Sequence, residues 1–131
     1  MTTMVRLFIF LLLLVNTTAC SLDEQEICGS WQAVAFFEDG KPIEIPLDSV
    51  QLRLWSSNKY HFKSIGMYSE AGHWESTANY LSLTDTTNPE ATQKLIKVIY
   101  QSSDSLKVKM EHQGKEQVLF FGKNKLDPSV Y

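Results

Sequence analysis

The chain is poor in cysteine, arginine and histidine, and each shortage removes a class of function. Two cysteines, Cys20 and Cys28, are too few for a disulfide-stapled scaffold. Arginine occurs only at Arg6 and Arg53, and acids and bases are interspersed around a formal net charge of −3. That balance offers no basic patch, so nucleic acid is not an expected partner. His61, His73 and His112 lack close ligand spacing and Cys28 has no cysteine near it, so no metal site is expected. No glycine-rich phosphate loop occurs. "SSNK" (56–59) matches Ser-x-x-Lys, which needs a helical turn, yet it lies at a turn between strands. The acids Glu38 and Asp39 fall in a turn, where solvation keeps carboxylates ordinary. These gaps predict a protein that is not an enzyme and carries no cofactor.

A long apolar run is also missing. After "MTTMVR", which carries one positive charge, come nine apolar residues, Leu7 to Val15. At about 1.5 Å per helical residue they cover far less than the roughly 30 Å core of a bilayer. A basic start, a short apolar run and small residues ending at Ala19 fit a secretory signal over residues 1–19. The stretch "TTAC" (17–20) resembles the end of a bacterial lipoprotein signal, with Thr17 where leucine is favoured. The resemblance implies that Cys20 is lipidated with palmitate-type acyl chains and holds the protein to a lipid bilayer. Ser21 after the cysteine, and the acids Asp23, Glu24 and Glu26, imply an outer-membrane and surface-exposed location. Ordinary cleavage after Ala19 is the alternative. Residues 20–27 read as a solvated acidic linker, 28–123 as one domain and 124–131 as a tail. Without Arg6 the formal charge becomes −4. Cys28 reads as a small buried hydrophobe beside the first strand.

From Gly29 onward the hydrophobic period is two, interrupted by turn residues. "SWQAVAFF" ends at the turn signal Asp39-Gly40. "KPIEIPL" is confined by Pro42 and Pro46 to an edge or a loop. "SVQLRLW", "KYHFKS", "MYSEAGHW", "NYLSLT", "KLIKVIYQ", "SLKVKMEH" and "EQVLFFGK" complete eight strands. In "KLIKVIYQ", Ile96, Val98 and Tyr100 share one face and Leu95 and Ile99 the other, so cover on both sides is expected. Asn88-Pro89 is the one place where helix signals gather, enough for a single turn. Short connections leave no room for crossover helices, so neighbours are antiparallel. Closure into a single eight-stranded up-and-down meander barrel removes the edges. A two-sheet sandwich is the alternative closure.

"GSW" (29–31) at the head of the first strand resembles the Gly-x-Trp opening of the lipocalins. "GHW" (72–74) with "ANYLSLT", "DSLKVKM" and "QVLFFGK" resembles bacterial lipocalin-like lipoproteins across most of residues 28–123. The resemblance implies a barrel that often binds a small apolar ligand, with Trp31 packed across its closed base. It also implies a last-strand arginine over that Trp, a position for which Lys123 is the nearest residue here. The lipocalin C-terminal helix has no counterpart.

Two functions follow. One is a monomeric ligand-binding barrel whose inward residues are Tyr60, Phe62, Trp74, Leu83, Val98, Tyr100, Val108 and Met110. With these assignments no inward strand position carries a charge, so the expected ligand is small and uncharged or fatty. The other is a filled barrel acting as a protein-interaction module, including the protease-inhibitor type, with its partner unspecified. An eight-stranded barrel accommodates either outcome.

Overall fold

The computed structural model describes residues 22–90 and 93–124. The apolar run, Ala19, Cys20 and the tail beyond Asn124 lie outside the described residues. A four-residue helix, α1 (Glu24–Ile27), precedes nine strands. These are β1 (Gly29–Glu38), β2 (Lys41–Pro42), β3 (Gln51–Leu54), β4 (Lys59–Lys63) and β5 (Ser69–Thr77). Then come β6 (Tyr80–Asp85), β7 (Lys94–Gln101), β8 (Ser105–His112) and β9 (Lys115–Lys123). Every pairing is antiparallel. The order β2-β1-β3-β4-β5-β6-β7-β8-β9 closes through β1 on β9, making an eight-stranded barrel with β2 as an addition. Closure, not a sandwich, is therefore how this chain removes its edges.

The long strand β1 makes closure possible. Its first residues pair with β3, Gly29 opposite Leu54 and Gln32 opposite Gln51. On its other side it pairs with β9 from Trp31–Lys123 to Glu38–Gln117. The register slips between Ala33 and Ala35, so Val34 turns outward and Phe36 turns in toward the core. The Pro-bounded "KPIEIPL" yields only the two residues of β2, then a short 3-10 turn at Leu47–Ser49. The β1–β2 and β8–β9 hairpins turn through Asp39-Gly40 and Gln113-Gly114, all four at positive φ, as two-residue hairpin loops require. Gly72 has a different reason. A Cβ there would lie 1.8 Å from the Thr84 carbonyl oxygen, so β5 and β6 approach this closely only at glycine.

At Asn88-Pro89 the expected cap forms, the Asn88 side chain accepting from the Glu90 N–H, and residues 91–92, which would complete the turn, lie outside the described residues. Two local expectations are corrected. Leu95 and Ile99 on the outer face of β7 are uncovered, Leu95 being 64% exposed. The acidic linker is not a leash over residues 23–27. Asp23 caps α1, its Oδ1 accepting from the N–H groups of Gln25 and Glu26 at 3.1 Å, an arrangement worth about 1 kcal/mol. Glu24 and Glu26 sit in the first turn, where the helix dipole favours acids. Ile27 is fully buried against the barrel, which stabilises the docked helix by roughly 1.5–3 kcal/mol.

The base of the barrel is filled. Trp31 is fully buried and its indole Nε1 donates to the Ile27 carbonyl at 2.8 Å. Lys123 lies over that indole, its Nζ 5.3 Å from the ring centroid, and donates to the Glu26 carbonyl at 3.0 Å. Helix, indole and lysine thus close one end together. Cys28, a buried free thiol in this core, has its pKa pushed up by burial and then by Glu24, against the opposing charge of Lys123.

Candidate functional site

The opposite half of the barrel is hollow. A cavity of ≈ 360 Å³ lies between the strands, at the small end of the roughly 300–1,000 Å³ typical of ligand pockets. Its middle is aliphatic: Leu52, Leu81, Leu83, Ile96, Val108 and Leu119, all buried inward positions of their strands. Phe36, Ile45, Phe62 and Met110 stand nearer the rim, where the connections β4–β5 and β8–β9 surround the opening. In the β4–β5 connection, Gly66 and Met67 both take positive φ, and the Met67 side chain is 98% exposed.

The eight inward candidates divide into three groups. Phe62, Leu83, Val108 and Met110 line the cavity. Tyr60, Trp74 and Val98 are buried in the core without lining it. Trp74 belongs to the filled half: its Nε1 donates to the Trp55 carbonyl at 2.9 Å, and its own carbonyl accepts from the Asn58 side chain. Both partners lie in the β3–β4 turn, at the base. Tyr100 is placed wrongly by strict alternation. The register of β7 against β8 slips between Val98 and Tyr100, so Ile99 is the extra residue and Tyr100 faces out, 50% exposed. Outside the barrel, Lys107 sits over the Tyr100 ring at 5.3 Å.

The cavity wall is also charged, contrary to the uncharged interior expected. Glu70, on β5, is only 3% exposed and lines the cavity. Its Oε2 accepts from Lys94 Nζ at 2.7 Å and from the Tyr68 hydroxyl at 2.9 Å. Lys94, the first residue of β7, also lines the cavity, half-exposed at its edge. Burial alone would lower the Lys94 pKa, but the hydrogen bond and charge of Glu70 together hold it above its ordinary value. The Tyr68 pKa is raised by burial first and then by its bond to Glu70. Tyr60 lies within electrostatic reach of the same corner. Its hydroxyl is buried with no hydrogen-bond partner among the described residues, and burial followed by the charges of Glu70 and Asp85 pushes its pKa up.

The signal for this corner was present in the period. Glu70, Gly72 and Trp74 are two residues apart on one face of β5, as Lys94, Ile96 and Val98 are on β7. Among the described residues no group of three or more His, Cys, Asp or Glu side chains could hold a metal ion. No helix among them is long and apolar enough to cross a membrane.

No protein-family model matches the sequence, and no curated protein does. Among solved structures the chain is similar to a lipocalin-like protein from Bacteroides uniformis. The TM-score is 0.56 and the identity 20%, covering 76% of this chain and 99% of that one. At this identity the likeness is one of fold, a closed eight-stranded antiparallel barrel of lipocalin-like form with one strand added.

Proposed function

We propose that this barrel binds a small, largely apolar molecule in the cavity of its open half. The observation that carries the proposal is the contrast between an aliphatic hollow of ≈ 360 Å³ and a base packed solid by two indoles. Apolar walls favour a ligand through the area they remove from water, and most of this wall offers nothing else. The test is titration of an uncharged environment-sensitive probe into the purified protein. Binding tighter than about 100 μM, roughly −5.5 kcal/mol, is expected. No binding at that level would remove the proposal.

Anchoring through an acylated Cys20 belongs to the same proposal and is supported by the sequence around "TTAC". The Leu22 N–H donates to the Ala78 carbonyl, and Asp23 and Gln101 exchange hydrogen bonds, so the chain enters the barrel at its base. Two residues reach at most about 7 Å. A lipid on Cys20 therefore holds the base toward the bilayer and turns the mouth away from it. Cys20→Ser is expected to release the protein from membranes; full retention would contradict the anchor.

A second function, a protein-interaction module, is favoured by one observation. Leu95, Ile99 and Tyr100 give the outside of β7 an exposed apolar face.

A further inference from the structure

The cavity does not select on apolarity alone. Glu70 is the charged group within its wall that is almost wholly withdrawn from solvent, and only one of its two carboxylate oxygens is engaged. Oε2 receives both Lys94 Nζ and the Tyr68 hydroxyl. Among the described residues nothing donates to Oε1, and that oxygen is not packed away from open space. A carboxylate oxygen can only accept. With both of the observed donors on Oε2, the natural partner of Oε1 is a donor brought by the occupant.

Lys94 does not reverse this logic. Its ammonium is already paired at 2.7 Å and stands half-exposed at the edge, so the pair is net neutral and directed at itself. An incoming carboxylate that reached the remaining Lys94 N–H donors would be drawn up against the Glu70 charge, which the ammonium already balances at 2.7 Å. A hydroxyl or ammonium meets Oε1 without displacing anything. Of the other polar groups bordering the hollow, His112 is exposed, and Ser64 and Gln117 carry no charge.

We propose that the occupant is an amphiphile with an apolar tail and a hydrogen-bond donor head, an amine or a hydroxyl, received by Glu70, and that fatty carboxylates are disfavoured. This rests on the ligand-binding reading above and specifies which ligands it admits. Specificity here comes from a repulsive element as much as an attractive one.

The experiment is displacement of the bound uncharged probe by three medium-chain compounds with one tail and an amine, hydroxyl or carboxylate head. The amine and the alcohol are expected to compete, the amine at least about tenfold better than the carboxylate. Glu70→Gln should collapse that ratio toward unity, each competitor being measured against the variant's own probe affinity. Lys94→Met, which removes the ammonium and leaves the Tyr68 hydroxyl as the donor on Oε2, should widen the ratio. A wild-type protein that binds the carboxylate as well as or better than the amine overturns the proposal while leaving the ligand-binding reading in place. Failure of the probe itself to bind overturns both.

Discussion

The two ends of this barrel are built from the same alternating strands and are put to opposite use. At the base, Trp31 and Trp74 each place an indole N–H on a main-chain carbonyl, and α1 lies across the opening with Ile27 beneath it. Toward the mouth the inward positions include Leu83, Ile96 and Val108, with Phe36, Phe62 and Met110 nearer the rim, and a cavity remains between them. The base is filled by two hydrogen-bonded indoles, whereas the other half keeps a space that its side chains do not fill. Polar groups divide in the same way. At the base, Lys123 is turned inward onto an indole and a carbonyl. At the mouth the Glu70–Lys94 pair borders the cavity itself.

The most damaging change should therefore fall at the base. Trp31→Ala removes a fully buried indole from a site with no slack, and a loss of about 3–5 kcal/mol is expected from urea unfolding. A loss below about 1 kcal/mol would show that the base is not the structural half. A matched pair sharpens the contrast. Leu106→Phe overfills packed core and should cost roughly 1–3 kcal/mol. Leu83→Phe grows into the cavity and should change stability by less than about 1 kcal/mol, while abolishing probe binding. Equal costs at both sites would mean that the two halves are packed alike.

The smallest effect concerns pH. Lys94 and Tyr68 have folded-state pKa values above their ordinary 10.5 and 10.0, so the folded protein holds these protons more tightly than the unfolded chain. Their contribution is complete below the ordinary values and is lost as pH rises through the folded ones. Because Lys94 is half-exposed, its share should stay below about 1 kcal/mol. The Lys94→Met protein should show a shallower alkaline decline in urea midpoint than the parent. An identical decline would place the linkage elsewhere.

What could be read from the sequence follows from what a period of two encodes. It gives the face of a side chain, so the strands and the inward direction of Trp31, Trp74 and Val108 were legible. It does not give height along the barrel, so Trp74 was expected in the cavity wall and lies in the filled base. Nor does it survive an inserted residue, and the slip at Ile99 turned Tyr100 outward. Glu70 and Lys94 kept the period faithfully, yet a charge at a strand end reads as solvated until its partner across β6 is known. The acids before Gly29 suggested a leash for the same reason. Asp23 followed by Glu24 and Glu26 is equally the start of a helix, and only the burial of Ile27 decides between the two.

The central claim, a solid base and a ligand-accessible mouth, is tested most directly by methyl NMR during titration with a medium-chain alcohol. Resonances of Leu83, Ile96 and Val108 are expected to shift with saturation, while those of Ile27, Leu54 and Leu106 stay in place. Shifts confined to the outer methyls of Leu95 and Ile99 would contradict the claim and move binding to the outside of the barrel.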